Sequence, residues 1–313
     1  MMHKGEKSGQ FDVVIVGGGP GGMAAALWCH ELGLTSCLID SASNCGGQLH
    51  WIHNPITNYL GGRFDNGTAA LRAFSASLSD RRFTQMLALR VTEIDRASMS
   101  VSLDDGRDIS AKAIVVATGI RRRQLNVPGE AEFKARGILD SGSRDKSEVS
   151  GKTAAVIGGG DAALENALIL ADYAEKVYLV HRRNEFSGRR EFIQAVKHSN
   201  RIESIMNAQV KEFGGSSQLE FVDLELTSGN TQRIPIANAV VRIGVQPNSE
   251  LLKDIADLDD AGYVNVDREG RTSVANIYAI GDIAHPTSPT IATAIGSAAA
   301  AIKSVAAHMR KTE

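Results

Sequence analysis

Only three cysteines occur in 313 residues, Cys29, Cys37 and Cys45, and no two of them form a C-x-x-C pair. That spacing excludes a local redox dithiol and a zinc knuckle, so no metal site is expected. Cys29 reads as a helix residue and Cys37 as a strand residue, both as small buried apolar side chains. Long apolar runs are missing too. The start, MMHKGEKSGQ, has no apolar signal core, and the alanine-rich end, IGSAAAAIKSVAAHMR, reads as too short and too basic to span a bilayer. The expectation is a cytoplasmic protein with no membrane attachment. Nor is one charge in excess: 34 basic against 36 acidic residues give a net charge of −2, which excludes the global basic field that nucleic-acid binding requires. What remains is a chain long enough for two domains, with 43% apolar residues to fill two cores.

Two stretches share one design. FDVVIVGGGPGGMAAALWCHELG is an apolar strand, a glycine-rich turn and an alanine-rich helix, followed by a second strand, SCLID; TAAVIGGGDAALENALILADYA followed by KVYLV repeats the order. Each turn follows a strand and opens a helix. In that context glycines permit a tight turn and close backbone approach to a pyrophosphate, while the helix N-terminus offers unpaired N–H groups to the negative charge. The first turn contributes Gly17, Gly19, Pro20 and Gly22, the second Gly158, Gly160, Asp161 and Ala163. Counting from Gly17 to the end of the following strand reaches Asp40, and the same count from Gly158 reaches His181. A carboxylate there accepts hydrogen bonds from a ribose diol. HRR (His181, Arg182, Arg183) suits a ribose bearing a 2′-phosphate, its alternative reading being a solvated basic loop. The first site therefore reads as FAD and the second as NADPH.

The repetition continues. Each half carries short alternating strands with a tight turn, at Asp105-Gly106 and at Ser228-Gly229, and then an apolar strand ending in glycine, AIVVATG (Ala117, Gly119) and NAVVRIG (Gly244). The expected fold is α/β, with two Rossmann-like, three-layer ββα dinucleotide-binding domains. The NADPH domain (119–246) is inserted into a discontinuous FAD domain (8–118 and 247–313), with crossings near Gly119 and Gly244.

Along nearly its whole length, from VVIVGGGPGG through CGGQL, VVATG, VPGE, VIGGGDAALE and HRR to AIGDIA, the chain resembles the low-molecular-weight thioredoxin-reductase-like flavoproteins. The resemblance implies FAD and NADPH as cofactors and a homodimer. It implies that Gly281 and Asp282 of the GD pair hold the FAD ribityl chain, and that Gly46, Gly47 and Gln48 line the flavin. It also implies that Asn58 matches the family's Asn-aromatic-x-Gly element, and that the last helix, beginning at Ile291 and Ala292, points its N-terminus at the flavin N1/O2 edge. A helix dipole there stabilises the charge of the reduced ring.

The disulfide-reducing members of that family carry C-x-x-C-D where this chain reads Ser141, Gly142, Ser143, Arg144, Asp145. Serine takes no part in thiol–disulfide exchange, so an ordinary thioredoxin reductase is excluded. Two branches without that dithiol bear comparison. The spacings from Asp40 to Gly46 and from Asp145 to Gly151, with GGGD, are similar to the ferredoxin (flavodoxin)–NADP reductases, although the aromatic C-terminal extension of those enzymes has no counterpart before Glu313. The bacillithiol-disulfide reductase type carries a cysteine in the first turn, where this chain has Gly21. The leading expectation is thus an NADPH-dependent FAD oxidoreductase with an acidic electron carrier, ferredoxin or flavodoxin, as acceptor. Arginines 121 to 123, 144 and 189 to 190 either dock that carrier, bind NADPH or are solvated. Its rivals are a reductase or oxidase of a small organic molecule, and a non-catalytic FAD-binding regulatory protein. In CGGQLHWIHNPITNYLGG, His50 and His53 are candidate proton donors or acceptors, as is Asp145; the alternative is that the histidines fix a loop or sit at a dimer contact. Cys45, a loop cysteine with no partner, reads as inert.

Overall fold

The computed structural model describes residues 10–312. FDVVIV forms β1 (Phe11–Val16), and the run is apolar without alternation because both faces of the strand are covered. Successive side chains point to opposite faces. Val13 and Ile15 therefore pack with α1 (Pro20–Glu31), while Val14 and Val16 face a β-meander. The chain continues through β2 (Ser36–Asp40), α2 (Gly67–Ala76), β3 (Thr84–Leu87), β4 (Val91–Asp95), β5 (Ser100–Leu103) and β6 (Asp108–Val116). The sheet order is β3-β2-β1-β6-β5-β4. Strands β1, β2, β3 and β6 pair in parallel, and the β4–β5–β6 meander is antiparallel. Its tight turn is where the sequence puts it: Gly106, at φ +86°, takes the left-handed position that a side chain would disfavour.

A second unit, Arg122–Val245, interrupts the first, which is made of the residues up to Arg121 and those from Gln246 onward. After β7 (Ile120–Arg122) come β8 (Ile138–Leu139), α3 (Gly142–Asp145), β9 (Thr153–Ile157), α4 (Asp161–Ala171), β10 (Lys176–His181), α5 (Arg190–His198) and β11 (Ile202–Met206). A three-stranded antiparallel sheet follows, β12 (Ala208–Gly215), β13 (Leu219–Leu226) and β14 (Thr231–Pro235), and then β15 (Asn238–Val241). The parallel sheet has the order β11-β10-β9-β15-β8. Its layering repeats that of the first unit. Ala154 and Val156 of β9 face a core shared with α4, and Ala155 and Ile157 face one shared with β12 to β14. Two Rossmann-type units, each a parallel sheet between helices and a β-meander, are thus what the doubled sequence pattern builds.

The chain leaves the second unit by β16 (Val245–Pro247), adds β17 (Ile277–Ala279) in parallel to β6, and ends in α6 (Ile291–Thr312). Within the first unit, the two passes of the chain are clasped side by side. Thr118 Oγ1 donates to Asn248 O at 2.7 Å, Asn248 Nδ2 donates to Thr118 O at 2.7 Å, and Asn248 N donates to Gly119 O at 2.9 Å. Helix α6 corrects one expectation. At 22 residues it is long and apolar enough, by length and composition, to cross a membrane. The reason for its apolar character lies in the core, where Ala298, Ala301, Ile302 and Val305 pack beside Ala25, Cys29 and Tyr278.

Candidate dinucleotide sites

In the first unit, backbone crowding shapes the turn between β1 and α1. Gly17 sits at φ +110°, and a Cβ there would stand 2.5 Å from Ala117 O; one on Gly22 would stand 1.8 Å from Gly17 O. Gly19 caps α1 without any side-chain hydrogen bond, and Pro20 fills the first position, where its missing N–H costs nothing. A Cβ on Gly19 would meet nothing nearer than Gly47 Cα at 4.0 Å. The first N–H groups of the helix therefore open on a cradle free of side chains, the requirement for a diphosphate.

Asp40, at the end of β2, accepts from Gly18 N and from Ala42 N, the latter at 2.7 Å. These bonds fix the carboxylate at the mouth of the turn and leave about half of its roughly four lone-pair sites for a ribose diol. Gly46 and Gly47, at φ +133° and +51°, fold a short 3-10 turn back toward α1, with Gly47 so near that a Cβ on it would stand 2.9 Å from Gly19 Cα. Gln48 Nε2 donates to Asp282 Oδ2 at 3.0 Å. Burial raises the Asp282 carboxyl above its ordinary pKa, against the lowering effect of that bond. Gly281 N donates to Ser297 Oγ on α6 at 3.0 Å, and Gly119, at φ +67°, approaches Gln48 from the end of β6. The first turn, Asp40, Gln48, Ala117 to Gly119 and Asp282 thus gather at the carboxyl ends of β1, β6 and β17, and these residues fit FAD. The start of α6 is capped by Thr290, whose Oγ1 accepts from Thr293 N at 3.1 Å. Asn58 is exposed and has no hydrogen bond among the described residues.

The two loop histidines differ in their surroundings. His50 is exposed and its Nε2 donates to Cys45 O at 3.0 Å, whereas His53 keeps a buried Nε2 without a hydrogen-bond partner among the described residues. Burial, and then the charge of Asp40, raises the Cys45 thiol, so it is held protonated.

The second unit repeats the cradle with different chemistry. Gly158, at φ +146°, lies against the Arg242 carbonyl, and Gly160 caps α4 with no side-chain bond. Ser187, which no sequence pattern signals, latches the turn: its N donates to Gly159 O at 2.8 Å and its Oγ at 3.3 Å. Asp161, expected at the nucleotide, is engaged by Arg189, whose N donates to it at 2.6 Å and whose Nε donates at 3.0 Å. His181 departs from the expectation more sharply. Only 8% exposed, it lies beneath Gly159 and donates Nε2 to Glu185 O at 3.0 Å. Burial, reinforced by the charges of Arg183 and Arg182, lowers its pKa despite that bond. It supports the turn as a neutral imidazole, while Arg182 and Arg183 beside it are exposed, with no ion pair among the described residues.

At the place of the missing dithiol, Ser141 caps the four-residue α3 and Arg144 pairs with its neighbour. Asp145, 7% exposed, accepts from Ser141 N at 3.1 Å and from Arg144 Nη2 at 2.8 Å and Nε. Burial would raise its pKa, but the Arg144 hydrogen bonds win and hold it below the usual carboxylate range. Asp145 is therefore a fixed anion at neutral pH and no proton donor. Several of the arginines considered for docking have partners and still keep exposed side chains: Arg121 pairs with Glu250, Arg123 donates to Val245 O, and Arg189 pairs with Asp161.

Two glycine-turn helices on two parallel sheets, each opening at the carboxyl edge, define an oxidoreductase that works with two dinucleotides. Residues 11–304 match the pyridine nucleotide-disulphide oxidoreductase family, and the chain belongs to it, among the thioredoxin reductase-like flavoproteins that use FAD and NADPH. It is 32% identical to the bifunctional thioredoxin reductase/thioredoxin of Mycobacterium leprae over 93% of this chain and 64% of that protein. It is 30% identical to the thioredoxin reductase of Mycoplasmopsis pulmonis over 87% and 89%, and 28% identical to an NADH dehydrogenase of Bacillus subtilis over 93% and 57%. The chain thus spans less than two thirds of the length of the first and third of these. The solved structure of Lactococcus lactis thioredoxin reductase, 27% identical, superposes with a TM-score of 0.84 over 96% of this chain and 100% of that one.

Proposed function

We propose that the first unit holds FAD, that the second holds NADPH, and that electrons pass from NADPH through FAD to an acceptor other than thioredoxin, ferredoxin or flavodoxin being the leading class. The observation that carries this reading is the state of the dithiol positions: Ser141 is a helix cap, and Arg144 is bound to Asp145. No cysteine substitutes for them. Burial pushes the Cys29 and Cys37 thiols up to about 12, and Cys45 is raised as well. An acceptor must then meet the flavin directly. Bound FAD supplies the required chemistry, accepting electrons as a pair and releasing them singly or in pairs. A homodimer in the cytoplasm, where NADPH is available, completes the reading.

A second reading, reduction of a small organic molecule, is favoured by the loop after Gly47, where Trp51 is 54% exposed and His53 Nε2 has no hydrogen-bond partner among the described residues. Cytochrome c reduction driven by NADPH separates the two. The carrier reading expects turnover to need added ferredoxin or flavodoxin and to fall with salt, since exposed charges are screened beyond about 8 Å at physiological ionic strength. Thioredoxin should have no effect. Turnover that needs no carrier and ignores salt selects the small-molecule reading, and thioredoxin-dependent turnover rejects both.

A further inference from the structure

At the carboxyl edge of the second unit's parallel sheet, two arginines converge on one oxygen. Arg242, just beyond β15, donates Nη2 to Asp140 O at 2.7 Å and Nη1 to Val241 O at 2.8 Å. Arg122, at the end of β7, donates Nη1 to the same Asp140 O. A shared acceptor puts the two donor nitrogens within about 6 Å of each other. Asp140 and Asp145 are the carboxylates facing this pair, and Arg144 claims Asp145 with two nitrogens. Three guanidinium groups against two carboxylates leave the cluster positive. Burial, with the charge of Arg122 behind it, lowers Arg242 to about 10. Cations held together without a full counter-charge, one of them, Arg242, partly buried, are costly, and an anion placed between them relieves that cost.

The topology says which anion arrives there. Strand order reverses between β9 and β15, and in an open α/β sheet the ligand lies across that crevice, beyond the carboxyl ends of the strands. The Gly158 turn ends β9, and Arg242 is its neighbour: Arg242 N donates to Ile157 O at 2.7 Å. Arg182 and Arg183 follow β10, on the opposite side of β9. A dinucleotide with its 2′-phosphate over β10 has its nicotinamide half over β15 and β8.

We propose that Arg122 and Arg242 clamp the nicotinamide-side phosphate of the pyridine nucleotide, a charge that NADPH and NADH share. The clamp rests on the assignment of the nucleotide to the second unit, and it divides the site. Arg182 and Arg183 choose between the two nucleotides, while Arg122 and Arg242 hold either one.

Calorimetric titration of the FAD-loaded protein with NADP+ and NAD+ tests this. Arg122→Ala should raise Kd for both nucleotides by the same factor, about tenfold or more for a lost charged hydrogen bond, with their ratio unchanged. Arg242→Lys, which keeps the charge but loses the fork, should raise both by a smaller common factor. Replacing Arg182 and Arg183 together by Ala should raise Kd for NADP+ alone. Inorganic pyrophosphate should compete with NAD+ in the parent protein and compete more weakly in Arg122→Ala. Wild-type Kd values for both nucleotides in Arg122→Ala and Arg242→Lys, or a loss confined to NADP+, overturn the clamp and leave the nucleotide assignment standing. Failure of the parent protein to bind either nucleotide overturns both.

Discussion

Gly22→Ala should empty the first site, and the structure gives the size of the effect. A Cβ on Gly22 would stand 1.8 Å from Gly17 O, a backbone atom that cannot rotate aside, with Ile15 Cγ2 a further contact at 3.5 Å. Reaching an ordinary carbon–oxygen separation of about 3.3 Å requires the start of α1 and the Gly17 turn to part by roughly 1.5 Å. Overpacking of this kind costs about 1–3 kcal/mol, and replacing a helical glycine by alanine returns about 0.5–1 kcal/mol. The net loss, about 0–2.5 kcal/mol, should lower Tm of the FAD-free protein by up to several degrees. The displacement also takes the α1 N–H groups out of line with the diphosphate, so the purified variant should carry little FAD. Gly21→Ala is the internal control. Its Cβ would stand 3.5 Å from Ala294 O, an ordinary contact, so FAD should be retained and Tm unchanged or raised. FAD content and melting curves of the two variants decide the matter. Full FAD at the parent Tm in Gly22→Ala would refute the steric argument for this turn.

Two further outcomes follow from buried titratable groups. His181 and His285 both have pKa values lowered from 6.5 by burial, so the unfolded chain binds more protons than the folded one; their contribution is complete above about pH 6.5 and is lost as pH falls toward the folded values. Tm should therefore fall between pH 7 and 5, and His181→Asn should flatten part of that slope; an unchanged slope would show that His181 binds its proton equally well in the folded and the unfolded chain, and that burial does not lower its pKa. For the cysteines, iodoacetamide at pH 8 should leave Cys29 and Cys37 unmodified in the native protein and alkylate both after unfolding, because burial holds each thiol near 12. Peptide mass spectrometry reads this directly, and rapid native labelling of either would contradict the packing.

The periodic features of the sequence were sufficient for the fold. Apolar runs without alternation mark strands covered on both faces, and a glycine turn between such a strand and an alanine-rich helix admits few other geometries, so the two ββα units and their family could be read from the chain. Asp40 was legible for the same reason: its distance from the turn is fixed by one helix and one strand. Contacts made across the fold were not. Nothing local shows that His181 lies under Gly159 instead of beside Arg182, since both are polar residues at the end of one strand and only the turn packed above decides which is buried. Arg189 reads as a free cation until Asp161 is found opposite it, 28 residues away. The missing dithiol was plain in the letters Ser141 and Arg144, but its consequence, an Arg144–Asp145 pair that closes the position, depends on how a four-residue helix seats its carboxylate. Local chain geometry follows from neighbouring residues and is written in the sequence. Which side chains are paired, buried or left available depends on segments far apart in the chain, and the tertiary structure alone brings those together.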